Sequence, residues 1–278
     1  MDKEYTHILY ETTDDGITTI TLNRPEVRNA FNDKMRTELV LALYRFAHAE
    51  DEKVLILTGA GRAFSTGEDL RNIDLGASNQ EMRKFAEEVL RDYHNIVRAL
   101  LLIGKPIVAM LNGAAAGAGL SISLACDFRL ADYGWEHKNI FPAFASMGLI
   151  PDSGMVLTLP RYISSGFNQH VRTWLYDPNF KGVTFEEAFG LGVIDSVYNS
   201  TMGYNFPTFV RNYAGRFAKA SPLAFSSTKT SLNELLMREL NERVFPWELR
   251  AQTACLQSDY FKEKVRAFLE KQKVREVK

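Results

Sequence analysis

Between Ile107 and Asp127 the chain reads IVAMLNGAAAGAGLSISLACD: an apolar run of strand length, a stretch of small residues, then a second apolar run ending on an acid. This pattern predicts a strand over Ile107 to Leu111, a tight junction, and a helix continuing through Ser121 to Ala125. Side chains this small let another backbone or a ligand come close. The first N–H groups of a helix have no internal partner, so such a junction suits holding an anion or a polarised oxygen. The spacing, Asn112-Gly113 and then Gly117-Ala118-Gly119, is not a GxGxxG fingerprint, and the chain contains no GxxxxGK[ST].

The flanking sequence reads as alternating strands and helices. Ile8 to Glu11 and Ile17 to Leu22 surround the turn signal Asp14-Asp15-Gly16 and predict a hairpin. Met35, Leu39, Leu43 and Phe46 fall at helical spacing after a cap at Asn32 or Asp33. Val54 to Thr58 is a buried strand closed by Gly59-Ala60-Gly61, and a second glycine loop follows at Ala63 to Leu70. Glu81 to Ile103 carries Met82, Phe85, Val89, Ile96 and Leu100 on one helical face, and Gly104-Lys105-Pro106 ends it. Strand, glycine loop and helix thus occur twice, which predicts a repeating α/β core. Phe128 to Ala131 is a short strand, and Asp132 to Pro142 is a polar and aromatic insertion. Pro151 precedes a helix that Asp152 or Ser153 is placed to cap. From Asn205 the pattern is helical, with Leu232, Leu235, Leu236 and Leu240 as one stripe and Val265, Phe268 and Leu269 as another.

Composition narrows the function class. A chain of 278 residues with 46% apolar side chains can bury a core large enough for one domain plus a smaller appendage. With 33 basic and 34 acidic residues the net charge is −1, which argues against nucleic acid or an anionic membrane as partner. No apolar run reaches membrane-span length and the start, MDKEYTH, is polar, so a cytoplasmic protein is expected. Cys126 and Cys255 lie far apart without metal-type spacing; neither a disulfide framework nor a metal site is expected.

Six segments together resemble the crotonase (enoyl-CoA hydratase/isomerase) superfamily over nearly the whole chain. They are NRPEVRNAFN at 23–32, VLILTGAGRAFSTGEDL at 54–70, KPIVAMLNGAAAGAGLSISLACD at 105–127, GLIPDSG at 148–154, SPLAFSSTK at 221–229 and SDYFKEKVRAFLEK at 258–271. The resemblance implies a spiral of ββα units over residues 1–200 and a helical C-terminal trimerisation region over 201–278, assembled as a homotrimer or homohexamer. It also implies an acyl-CoA substrate whose thioester oxygen lies between two backbone N–H groups, those of Glu68 and Ala118, so that an enolate-like anion is stabilised. The glycine preceding each donor, Gly67 and Gly117, then belongs to the site. Arg28 and Lys229 occupy the positions expected to approach the CoA phosphates, and Ala63, Phe64 and Ser65 those beside the adenine. No cofactor is implied beyond the coenzyme A carried by the substrate.

Departures from the family pattern bear on the reaction. The two positions at which hydratases of the superfamily place glutamates hold Ser121 and, counting back from Gly148, Phe144, so plain hydration is disfavoured. Asp152 stands where hydratases commonly have glycine and where several other members place a catalytic aspartate; the dienoyl-CoA and epoxide isomerases, naphthoate synthase, 3-hydroxyisobutyryl-CoA hydrolase and aryl-CoA dehalogenase are among them. An isomerase with Asp152 as its single acid/base is the first expectation. An acyl-CoA hydrolase, C–C bond hydrolase or dehalogenase using Asp152 as nucleophile or water activator is the second, and a non-catalytic crotonase-like protein with a binding or RNA-associated role the third, the near-zero net charge counting against RNA. No G-x-S-x-G elbow surrounds Ser121, which reads as a small helix residue. His48 and His94 read as solvated helix positions, and His137 as a residue at a site mouth. Tyr133, Trp135, Phe141 and Phe144 fit a bulky or cyclic acyl group, or ordinary packing.

Overall fold

The computed structural model describes residues 5–132, 139–163, 169–200 and 205–276. Tyr133, Trp135 and His137, singled out above, lie outside them. β1 (Ile8–Thr12) and β2 (Ile17–Leu22) form the expected antiparallel hairpin, with Gly16 at φ +81° in its turn. α1 (Asp33–His48) starts where Asn32 accepts from the Met35 N–H. Then come β3 (Val54–Gly59), β4 (Ala63–Ser65) and α2 (Asn79–Leu102), whose start is a reciprocal cap between Ser78 and Glu81. β5 (Ile107–Leu111), β6 (Ala114–Ala116) and α3 (Ala118–Leu124) repeat the unit, and β7 (Phe128–Asp132), β8 (Asn139–Phe141) and α4 (Met155–Tyr162) repeat it again. α5 (Gln169–Tyr176), β9 (Val183–Thr184), α6 (Phe185–Gly190) and β10 (Ser196–Tyr198) close the core. The tail is helical: α7 (Phe206–Gly215), α8 (Pro222–Glu239), α9 (Phe245–Gln257) and α10 (Asp259–Glu276).

Two sheets result. One has the order β1-β2-β3-β5-β7-β10, parallel from β2 onward; the other has the order β4-β6-β8-β9, with β9 antiparallel. Each ββα unit sends its first strand to the larger sheet and its second to the smaller, so the chain spirals. The larger sheet is covered on both faces, which is why β3 and β5 are continuous apolar runs. Leu55 and Leu57 enter the main core with Phe31, Leu39 and Phe46, while Val54 and Ile56 turn to Phe206, Val210 and Ala214 of α7.

Sharp corners between the sheets depend on absent side chains. A Cβ on Gly59 would stand 2.2 Å from the Ala63 carbonyl oxygen, and one on Gly113 would stand 2.1 Å from that of Arg62. Asn112 laces neighbouring corners together: its amide donates to the Gly59 and Gly61 carbonyls at 2.7 and 3.0 Å, and its oxygen accepts from the Gly59 N–H at 3.3 Å.

Two expectations about helices are corrected. α8 turns Lys229, Asn233 and Met237 inward, so Leu232 and Leu235 are 67% and 64% exposed and only Leu240 of that stripe is fully buried. α4 begins at Gly154 in the left-handed region without a side-chain cap, so neither Asp152 nor Ser153 caps it. No helix among the described residues is long and apolar enough to cross a membrane.

Gly113 is not in the left-handed region, so only space forbids a side chain there. Gly113→Ala is expected to lose at least about 1–3 kcal/mol in urea unfolding, since the obstacle is backbone and cannot rotate away. Unchanged stability would show that the corner is looser than its geometry.

Candidate active site

β4 and β6 are parallel neighbours, so the loops that follow them emerge side by side. The approach is close: a Cβ on Gly67, at φ +87°, would lie 3.0 Å from the Ala116 carbonyl oxygen and 3.2 Å from the Ala118 nitrogen. Only glycine fits there. Gly117, at φ +52°, turns the second loop into α3 and leaves Ala118 as its first residue. Glu68 bridges Phe31 in parallel, through the Gly67 carbonyl at 2.8 Å and the Asp69 N–H at 2.9 Å. Strand alternation turns the Glu68 N–H away from Phe31. Neither the Glu68 nor the Ala118 N–H has a protein acceptor among the described residues, and both residues line one cleft.

That cleft encloses about 700 Å³, including the space open to solvent at its mouth. Its walls are apolar: Leu70, Ile73, Phe85, Val89 and Leu90, then Phe144, Met147 and Leu149, and finally Leu256 and Phe261 from the tail. Among the described residues, two acidic ones line it, Glu68 and Asp152. The buried Arg36 Nη1 donates to both Glu68 oxygens at 2.7 Å, and the Tyr93 hydroxyl donates to Oε2 at 2.6 Å. Arg36 also meets Asp33 and, at 3.5 Å, Asp92. Burial pushes the Glu68 carboxyl above its ordinary range, and the Arg36 charge partly offsets this. The carboxylate of Glu68 is therefore committed inside the protein.

Asp152 is differently placed. It is buried, and its carboxylate accepts only from neutral donors: Ser153 Oγ to Oδ1 at 2.8 Å and Gln252 Nε2 to Oδ2 at 2.7 Å. Its backbone carbonyl accepts from Ser121 Oγ at 3.1 Å, which explains a fully buried serine in α3. Behind it lies Glu248, whose Oε1 accepts from the Gly154 N–H at 3.0 Å and whose Oε2 is 2.8 Å from His94 Nε2. Burial, and secondarily the Glu248 charge, pushes the Asp152 carboxyl up to about 7; the two hydrogen bonds and His94 work against this. Burial also pushes Glu248 up to about 8 and His94 down to about 4.

Several expected positions are corrected. His94 is not solvated; it is 6% exposed, stacked on Phe245 at 3.9 Å and bonded to Glu248. Lys229 is 4% exposed, with Nζ 2.8 Å from Asp127 Oδ2 and 3.3 Å from the Lys105 carbonyl oxygen, so its charge is used inside the protein and faces no phosphate. Ala63, Phe64 and Ser65 are buried, with Ser65 Oγ donating inward to the Asn29 carbonyl, and they present no surface to an adenine. Arg28 is exposed at the rim, where its carbonyl accepts from the Thr66 N–H. Gly67, Glu68, Ala118, Phe144 and Asp152 converge on the cleft; Ser121 supports it from behind. Arg36, Tyr93, His94, Glu248 and Gln252 carry no recognisable motif. The one trace is a pair of polar residues four apart, Glu248 and Gln252, on a helix whose other inward positions are Phe245 and Leu256.

A family model described as enoyl-CoA hydratase/isomerase matches residues 12–275. The chain is 35% identical over 268 residues, 96% of each chain, to a Rhodobacter capsulatus protein named "Probable enoyl-CoA hydratase". It is 32% identical over 214 residues, 77% of this chain and 73% of the relative, to a 4-chlorobenzoyl coenzyme A dehalogenase of Arthrobacter. To the 1,2-epoxyphenylacetyl-CoA isomerase of Escherichia coli it is 39% identical over 148 residues, 52% of this chain and 54% of the relative. Among solved structures, an enoyl-CoA hydratase from Mycobacterium avium subsp. paratuberculosis superposes with a TM-score of 0.81 at 25% identity, covering 95% of this chain and 99% of that one.

A carboxyl raised in the folded state stabilises the fold at low pH, and that contribution is lost as pH rises from the unfolded value, about 4, through the folded value, about 7. Asp152→Asn has no such charge to bury. The melting temperature of the variant relative to the native protein is therefore expected to rise between pH 5 and pH 8, by the equivalent of about 2–3 kcal/mol. A difference that stays constant across this range would show that Asp152 ionises normally.

Proposed function

Since this chain belongs to the enoyl-CoA hydratase/isomerase family, we propose that it is an acyl-CoA isomerase in which Asp152 alone moves protons at the reacting carbons. The observation that carries this reading is the contrast between the two carboxylates in the cleft. Glu68 is bound on both oxygens by Arg36, whereas among the described residues Asp152 accepts only neutral hydrogen bonds and is paired with no arginine or lysine. A carboxyl raised to about 7 is present in both forms near neutral pH, so it can take a proton and give it back.

The thioester oxygen would sit between the Glu68 and Ala118 N–H groups. A proton beside a thioester is too weakly acidic for a carboxylate in water, but fixing the enolate oxygen between two preorganised donors in a dry cleft lowers the barrier. Asp152 removes a proton from one carbon and returns it to another, so the double bond moves and the thioester stays intact. Hydration would need groups to handle water, and the two positions that supply them in hydratases hold Ser121 and Phe144. Ser121 is buried on the Asp152 carbonyl and Phe144 is a cleft wall, which supports isomerisation. The apolar walls suit a hydrophobic acyl group. In this reading the exposed Arg28 would meet the CoA phosphates, and no cofactor is called for beyond the coenzyme A of the substrate. Assembly as a trimer or hexamer is part of the proposal; exposed Leu223, Leu232 and Leu235 on α8 support it.

Asp152→Asn should lower kcat on an isomerisable enoyl-CoA at least about a hundredfold while CoA-ester binding persists, as for loss of a general base. Near-normal turnover would remove Asp152 from the chemistry, and incorporation of solvent oxygen into product would favour hydrolysis or dehalogenation instead. A second variant addresses the backbone donor. Ala118 is the first residue of α3, where proline is tolerated, so Ala118→Pro deletes one N–H at little cost to the helix. A loss of about 10²–10³ in kcat is expected; full activity would show that this N–H holds no oxyanion.

A further inference from the structure

The loop that carries Asp152 is held by a helix from the other end of the chain, and the contacts of Gln252 single it out. This side chain is 3% exposed. Its Oε1 accepts from the Ile150 N–H at 3.1 Å, and its Nε2 donates to the Ile150 carbonyl at 3.3 Å and to Asp152 Oδ2 at 2.7 Å. The amide orientation follows from these partners. Reversing it would face the NH₂ group toward a backbone N–H and the oxygen toward a carbonyl and a carboxylate. One amide therefore holds both backbone groups of Ile150, two residues before Asp152, and one oxygen of the Asp152 carboxylate. One helical turn away, Glu248 takes the Gly154 N–H on the other side of Asp152.

We propose that Gln252 is the positioning residue of Asp152: by joining the backbone N–H and carbonyl of Ile150 to Oδ2, it fixes the direction of the carboxylate and keeps it ionisable in an apolar cleft. This rests on the reading of Asp152 as the acid/base. Oδ2 is held from the tail and Oδ1 by Ser153, so the carboxylate cannot rotate and the lone pairs not used by these donors keep one direction. A neutral donor suits this task. A cation favours the charged form of a carboxylate, whereas an amide orders it and leaves the proton exchangeable. The titratable groups around Asp152 are Glu248 from α9, with Tyr93 and His94 from α2; α3 contributes Ser121 and no ionisable side chain. Glu248 and burial oppose ionisation, and Gln252 is one of the two side-chain donors that oppose them.

The test reads the carboxyl itself. In full-length protein labelled with ¹³C at the aspartate carboxyls, the Asp152 resonance is the one absent from Asp152→Asn, and its midpoint is followed by NMR from pH 4 to pH 9. Gln252→Met keeps volume and loses the donor. The midpoint is expected to rise by about one unit or more, with the low-pH limb of kcat/KM moving by the same amount, roughly tenfold in rate on that limb. Should the methionine variant fail to fold, as judged by near-ultraviolet circular dichroism, Gln252→Glu keeps the shape. There two carboxyls share one site, and the upper midpoint of the pair should stand above that of the native protein. A midpoint within about 0.3 units of native in the folded variant would overturn the proposal, because a residue that merely holds the helix in place would not move it. Failure of the wider reading looks different: Asp152→Asn would turn over normally whatever the midpoint does.

Discussion

The structure depends on two backbones coming closer than side chains would permit. β4 and β6 run parallel, and the segments that continue them touch at Gly67, where a single methyl would meet the Ala116 carbonyl and the Ala118 nitrogen. Gly119 imposes the same condition a turn later, since a Cβ there would be 2.7 Å from the Ser65 carbonyl oxygen. Once this approach is made, the Glu68 and Ala118 amides open on one cleft without any side chain directed at that purpose. The sheets supply the precision, because the strand before each loop is fixed by the larger sheet through the Asn112 and Gly113 corners. Donors held this way need no reorganisation when charge develops near them.

The second constraint is electrostatic. Burying a carboxylate is costly unless it is paired or hydrogen-bonded, and the protein resolves the cost differently for its two cleft carboxylates. Glu68 receives a guanidinium on both oxygens and a tyrosine hydroxyl. Asp152 receives two neutral donors and a carboxylate neighbour, so it is ordered without being locked into its charged form. His94 and Glu248 face each other behind the cleft wall, and the same burial raises the carboxyl and lowers the imidazole, so both are pushed toward their neutral forms.

Local patterns made much of the fold legible. The alternation over Ile17 to Leu22, the glycine corners and the Asn32 cap each specify their element within a few residues, and three ββα units follow from repeating them. Gly67, Glu68, Ala118 and Asp152 were legible through motif resemblance. Side chains whose meaning depends on contacts far along the chain were not. Lys229 looks like a free cation until Asp127, 102 residues away, is seen to take its charge. His94 looks like a surface histidine until Glu248, 154 residues away, meets it. Asp152 looks like a helix cap because Pro-Asp-Ser-Gly usually supplies one; here Ser153 and Gly154 at φ +57° and +76° turn the chain first, and the carboxylate goes to Gln252 instead.

The tail therefore belongs to the structure of the cleft. Leu256 and Phe261 close the apolar wall, and the Tyr260 ring sits where a side chain on Gly148 would be, 2.4 Å from its Cβ position. Loop 148–154 is held from one side by Ser121 of α3 and from the other by α9 and α10. A boundary near residue 200 divides the chain by pattern, but the Asp152 environment crosses it. Part of that environment comes from the chain's last third: Gln252 and Glu248 of α9 bond Ile150, Asp152 and Gly154. In α8 the inward face carries Lys229, Asn233 and Met237 while Leu232 and Leu235 point outward, so this helix buries one face in its own chain and leaves an apolar one open. A contact made on the outer face would bear, through α8 and α9 packed together on α2, on the same elements that orient Asp152.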